Sequence, residues 1–378
     1  MPNIMQVAYG TVAVFALLLA VKGMPGTGSL QTATPSRAAP VSATTAVAAS
    51  APVTAPPQVS LVQPGPARPA AAAGSSEAAW VTPDLDKLPD DSWGQTVRYG
   101  RDLITKTYAL IGPEVSDATH RFSGNNMSCQ NCHLDAGTKQ FGIPFQGVYA
   151  DFPNYRARSG AVGTIEDRIQ GCMTRSMNGR ALPPAGREMT ALVAYLKFVS
   201  DGRPVGAPTP GRGPGKMPEL SRAADPAHGK EVFAQNCAAC HGADGLGKRV
   251  GTVGDAQGYT FPPLWGPDSF NDGAGMDRLI AAANFIHNNM PNGTTWQAPA
   301  LSDQDSWDVA AYVQAQKRPQ KANLDKDYPI PLERPADSGY GPYVDGFSQE
   351  QHRLGPFAPI RAKLKALHAA APLAPVTR

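Results

Sequence analysis

The chain has 378 residues, 42% of them hydrophobic and 17% charged, and a formal net charge of +3. That length leaves room for two or three folded domains, and the charge is too small to make nucleic acid or an anionic membrane surface the partner. Four of the five cysteines fall in the two motifs described below, so a disulfide framework is excluded.

In chain order, Thr11 to Val21 extend an apolar run that begins near Val7. The run has the size of a signal-peptide core and is short for a membrane span. No Lys or Arg precedes it, Lys22 follows it, and no A-x-A site comes directly after. Residues 1–30 therefore read as an uncleaved membrane anchor in preference to a removed signal peptide, and either would deliver the rest of the chain to the periplasm. Residues 31–75 contain 32 Ala, Pro, Ser or Thr in 45 positions and no acidic residue. Such a segment cannot bury a core and reads as a disordered linker.

From residue 76 to 202 the chain carries a first domain. Val97, Ile104, Tyr108 and Ile111 fall on one side of a helix predicted from Ser92 to Ile111, ended by Gly112-Pro113. Cys129-Gln130-Asn131-Cys132-His133 follows, and the pattern returns as Cys237-Ala238-Ala239-Cys240-His241. Each is a C-x-x-C-H site: Cys129 and Cys132, or Cys237 and Cys240, form thioethers to a haem, and His133 or His241 reaches the iron as proximal ligand. The chain thus implies two covalently bound haem c groups. Helical periodicity returns from Glu188 to Ser200.

Between motif and last helix lies Thr164 to Gly179. Thr164 with Asp167 reads as a helix N-cap and Gly179 as the stop. On that helix Ile165, Ile169 and Met173 form a core-facing row, and Arg168, Cys172 and Ser176 the row beside it. From the residues alone Cys172 is a small core residue, an incidental thiol, or the distal ligand of the first haem, with Met173, Met177 and Met189 as rivals. A lone thiol in an oxidising compartment favours a task. The preceding loop adds Arg156 and Arg158, whose planar forks suit a sulfonate or haem propionates; Arg156 reads as a solvated or propionate-bound side chain.

Residues 203–222, rich in Gly and Pro, read as an interdomain linker. The second domain, 223–320, opens with a helix capped by Asp225 and closes with one from Ser306 to Gln316. Met290 follows His241 by 49 residues, after a helical stretch with Leu279, Ile280 and Ile286. It is the expected distal ligand of an electron-transfer haem, with Met276 and His287 as poorer substitutes. Residues 321–378 carry eight prolines and one helical patch near Ile360 to Leu367; they form a Pro-rich extension in which His352 and His368 are expected to be exposed. The fold class is all-α: two class I cytochrome c-like domains in tandem, behind a hydrophobic segment and a disordered linker.

Gly124 to Thr138, Tyr149 to Arg158 and Arg168 to Gly179 together resemble the dihaem thiosulfate dehydrogenase family, over about residues 90 to 318. The resemblance implies His/Cys ligation of the first haem by His133 and Cys172, and anion binding by Arg158, Arg168 and Ser176. It also implies thiosulfate and tetrathionate as substrate and product, a covalent sulfur adduct on Cys172, and a soluble periplasmic cytochrome or similar acceptor. Some members carry a Lys beside the distal Met that exchanges with it on iron; this chain has Asn289 there, so constant His241/Met290 ligation is expected. The alternative is a non-catalytic dihaem electron carrier.

Overall fold

The computed structural model describes residues 80–206 and 209–370. The apolar N-terminal run and the Ala/Pro-rich segment fall outside them, and no helix among the described residues is long and apolar enough to cross a membrane. The first domain contains α1 (Ser92–Thr105), a hairpin of β1 (Asn154–Arg156) and β2 (Ala161–Gly163), α2 (Ile165–Met173) and α3 (Arg187–Val199). The second contains α4 (Pro226–Asn236), β3 (Lys248–Arg249), β4 (Tyr259–Phe261), α5 (Leu279–Asn289) and α6 (Asp303–Gln314). Beyond it come α7 (Gln349–Leu354) and α8 (Phe357–Ala370). The described residues are mostly helical, with two short antiparallel strand pairs that an all-α reading omits.

Both domains are built on one crossing of a first helix against a last helix, and glycine makes each crossing close. A Cβ on Gly100 of α1 would collide with the Ala191 carbonyl oxygen of α3, and one on Gly229 of α4 with the Asp308 carbonyl oxygen of α6. Only a residue lacking that carbon lets the two backbones approach so nearly. Around the first crossing Val97, Leu103, Ile104, Leu192, Tyr195 and Leu196 are buried together. Asp225 caps α4 by accepting from the Ala227 N–H at 2.8 Å, and Ser302 caps α6 by accepting from the Asp305 N–H at 3.0 Å.

The helix expected to reach Ile111 breaks at Lys106. The buried Thr107 hydroxyl donates to the Leu103 carbonyl at 2.6 Å and accepts from the Cys129 N–H at 3.1 Å, so the break seats the first haem motif against the end of α1. The helix expected to reach Gly179 likewise stops at Met173. There the Met177 N–H returns to the Cys172 carbonyl at 3.0 Å and the Gly179 N–H to the Met173 carbonyl at 2.9 Å, bonds that close the last turn.

A buried polar seam joins the two domains. The Asn125 amide donates to the Ser176 and Ser269 carbonyls at 3.0 and 3.2 Å, and the Asn126 N–H donates to the Asp268 carboxylate at 3.0 Å. The Asn271 N–H reaches the Arg175 carbonyl at 3.2 Å. The C-terminal extension is also ordered against the fold: Phe357 and Ile360 are buried beside Trp307. His352, expected to be exposed, is only 1% exposed. Its Nδ1 donates to the Ala336 carbonyl at 2.8 Å and its ring stacks on Tyr343 at 3.8 Å. Neither contact leaves a periodic signal in sequence, because both are made to irregular segments.

Candidate haem centres and substrate cavity

At each C-x-x-C-H motif the histidine is oriented by one backbone oxygen. His133 Nδ1 donates to the Ile143 carbonyl at 2.6 Å, and His241 Nδ1 to the Pro262 carbonyl at 2.9 Å. A carbonyl can only accept, so each ring carries its proton on Nδ1 and presents the lone pair of Nε2, as a metal-ligating imidazole requires. Phe145 stacks on His133 at 4.3 Å. Burial pushes His133 down to about 4 and moves Cys129 and Cys132 up to about 11 and about 12, so imidazole and thiols are all neutral. In the second motif burial lifts Cys237 to about 11 and lowers His241.

Above the first motif lies a cavity of about 580 Å³, within the ordinary range for a cofactor site. Ile104, Met127, Phe145, Leu192 and Leu196 supply apolar wall, and Cys129, Cys132 and His133 sit on it. From the facing side come Arg168 and Cys172 of α2 and Ser176 just beyond it. The reason is local: the Thr164 and Asp167 capping box starts α2 so that Ile165, Ile169 and Met173 are buried, with Ile169 and Met173 at the cavity, and the adjacent row lies along it too. Arg156, at the end of β1, joins that wall; burial and then the cation of Arg168 pull its guanidinium down. An apolar-walled cavity bearing two thiols and a Nδ1-anchored histidine fits a covalently attached haem. The clustered guanidinium groups fit an oxyanion as well.

The SoxA/TsdA cytochrome c domain family matches residues 119–205 and the cytochrome c family residues 226–317. Thiosulfate dehydrogenase of Stutzerimonas stutzeri is 40% identical over 253 residues, which cover 66% of this chain and 76% of that one. The thiosulfate dehydrogenase of Allochromatium vinosum is 41% identical over 246 residues, covering 64% and 85%. The chain belongs to the dihaem thiosulfate dehydrogenase family. It is accordingly a cytochrome c-type oxidoreductase with two covalently bound haem c groups. Among solved structures, thiosulfate dehydrogenase (TsdBA) from Marichromatium purpuratum superposes with a TM-score of 0.57 at 36% identity, covering 65% of this chain. This chain spans half the length of that one.

Within the family frame, some expected site residues gather and others do not. Cys172, Arg168 and Ser176 share the cavity with His133; Arg158 does not line it. Its guanidinium donates to the Gly273 carbonyl at 3.0 Å, the Asp327 carboxylate at 3.1 Å and the Tyr340 hydroxyl at 3.0 Å. The C-terminal extension, whose placement sequence did not reveal, supplies those last two partners. Of the rival methionines, Met173 and Met177 line the cavity, whereas Met189 is 1% exposed in the core and does not.

Met290 follows α5 directly and is half-buried. Of the other two candidates, Met276 lines the first cavity, and His287 Nε2 pairs with Asp303 at 3.1 Å. Asn289, 1% exposed, donates to the Phe141 carbonyl of the first domain at 3.0 Å, so this position serves the domain contact. Among the wall residues that sequence reasoning did not place there are Asp151, Arg212, Phe270 and Met276. Arg212, from the segment read as plain linker, forms an ion pair with Asp151. A lone Arg between glycines was the only available signal.

Proposed function

We propose that the protein is a periplasmic thiosulfate dehydrogenase, joining two thiosulfates into tetrathionate and passing two electrons to a soluble cytochrome or similar acceptor. The observation that carries this reading is the meeting of Cys172, Arg168 and Ser176 with the His133 motif in one cavity. His133 and Cys172 would hold the first haem, and His241 and Met290 the second. The haems supply the one-electron acceptors that the oxidation needs. Export follows from the attachment chemistry, which takes place outside the bacterial cytoplasm.

Thiosulfate is a dianion with one soft sulfur. The forks of Arg168 and Arg156 receive its sulfonate oxygens, the Ser176 hydroxyl donates to a third, and the sulfane sulfur is left facing Cys172 Sγ. A sulfur–sulfur bond between Cys172 thiolate and that sulfane sulfur forms with loss of two electrons. A second thiosulfate then attacks the outer sulfur, releases the Cys172 thiolate and leaves as tetrathionate. Run backwards, the same residues reduce tetrathionate.

The test is anaerobic reduction of an added acceptor by thiosulfate, with tetrathionate quantified. One tetrathionate per two electrons is expected, and no thiosulfate-dependent reduction would leave the protein an electron carrier. Electron paramagnetic resonance of the oxidised protein tests the ligands independently. One thiolate-bound low-spin ferric signal is expected beside one His/Met signal; two His/Met signals would remove Cys172 from the iron and leave Met173 or Met177 in its place.

A further inference from the structure

Asp327 lies beyond residue 317, where the cytochrome c family match ends, yet it is the centre of a buried charge network. Its carboxylate accepts from Arg158 at 3.1 Å, from Arg175 at 2.7 Å and from the Tyr340 hydroxyl at 2.6 Å. Its backbone carbonyl accepts from Arg334 at 2.7 Å. The side chains of Arg158, Arg175 and Asp327 are 22%, 16% and 9% exposed. Both arginines also donate to one further acceptor, the Gly273 carbonyl, at 3.0 and 3.1 Å. Burial alone would raise the Asp327 carboxyl, but the Arg175 and Tyr340 hydrogen bonds and the two cations hold it below its ordinary range, so it stays ionised.

Gly273 belongs to the second-domain loop that sends Phe270 and Met276 into the first cavity. We propose that Asp327 is a positioning residue for the first haem cavity: it holds Arg158 and Arg175 on the Gly273 carbonyl, and so keeps Phe270 and Met276 in the wall. Two guanidinium groups converging on one carbonyl repel each other, and the carboxylate between them is what lets both stay. Removing it leaves the two cations facing one another and frees the loop. The proposal concerns the shape of the cavity and stands apart from the identity of the substrate.

Hydrogen exchange of residues 270–277 in the haem-loaded protein tests it, together with the ferric spectrum and midpoint potential of each haem. In Asp327→Ala and Asp327→Asn the loop is expected to exchange faster by about tenfold or more, the change in local opening that loss of a charge-assisted bond produces. The first haem's spectrum and potential shift, and those of the second stay. Glu333→Ala, which removes only the exposed 2.7 Å bond from the Tyr155 hydroxyl, leaves all three readouts at wild type. Unchanged loop exchange overturns the proposal, and so does faster exchange with an unchanged first-haem spectrum, because the loop then does not shape the cavity. If the Ala variant loses haem, Asp327→Asn and Tyr340→Phe, which keep the bulk, decide the matter. A wild-type protein inactive toward thiosulfate would overturn the proposed function and leave this test intact.

Discussion

Around His133 and His241 the chain repeats one device: two half-buried thiols, an adjacent imidazole and a carbonyl that takes its Nδ1 proton. The walls beyond that device differ. The first site faces a thiol and arginines brought by α2, the hairpin and residues 212–213. Near the second motif, Phe233, Trp265 and Tyr312 pack ring against ring at 5.1 to 5.8 Å, an apolar cluster that includes Cys237. Attachment is therefore a local property of five residues, whereas reactivity is assembled from elements distant in sequence. An aromatic surround suits a group that only passes electrons; a cationic one with a third thiol suits a group that holds an anionic substrate.

The substitution that breaks this contrast most completely is Cys172→Gly. Thiosulfate turnover is expected to fall by about 10³-fold or more, as when a nucleophile is removed, while pyridine haemochrome assay still finds two haems per chain. Retention of wild-type turnover would reduce the first site to a second copy of the other. Arg168→Ala is next: kcat/KM for thiosulfate should drop about 10²-fold, equivalent to about 2.7 kcal/mol of charge-assisted binding, and steady-state assays across substrate concentration would show it. Ser176→Ala, which deletes one neutral hydroxyl, should cost about tenfold in the same assay.

Much of the first site was legible in sequence because helical spacing carries it. The Thr164 cap and the Ile165, Ile169 and Met173 row fix which way α2 faces, and that alone turns Arg168 and Cys172 into the cavity. Both crossing helices of each domain were readable for the same reason. Arg158 was not, because its neighbour in the chain, Arg156, carries the same side chain, and what separates them is Asp327, about 170 residues away. Arg212 and the Asp327 network sit in segments without periodicity, where sequence pattern is silent about side-chain direction. The buried His352 belongs with them: its partners Ala336, Tyr343 and Asp345 are all on irregular chain.

At the second site, Met290→Leu should remove the thioether-to-iron band from one haem's oxidised spectrum and lower that haem's potential. Thiosulfate-dependent reduction of the acceptor is expected to slow by only a few-fold. Loss of the first haem's thiolate signal in this variant would show that the ligand assignments are exchanged.

The finest distinction between the regions lies at Asp277, which follows Met276 in the loop linking them. Met276 reaches the first cavity, while the Asp277 carboxylate faces Arg318 of the second domain at 3.1 Å, and Arg318 in turn covers the Phe270 ring at 4.4 Å. Burial lifts the Asp277 carboxyl to about 7 from an ordinary 3.8, against the opposing pull of Arg318 and Arg353. Between those two values the folded chain holds a proton that the unfolded chain has released, so folding is favoured by acid across that window and the advantage is lost as pH rises through 7. Asp277→Asn has no such proton. The stability of wild type relative to Asp277→Asn should therefore improve as pH falls from 8 to 5, by no more than about 1.4 kcal/mol per pH unit, with no further change above pH 8. Paired melting curves at pH 5 and pH 8 measure it; a gap that does not move with pH would mean that Arg318 keeps Asp277 ionised throughout, and the loop would then be held by a permanent ion pair like the one at Asp327.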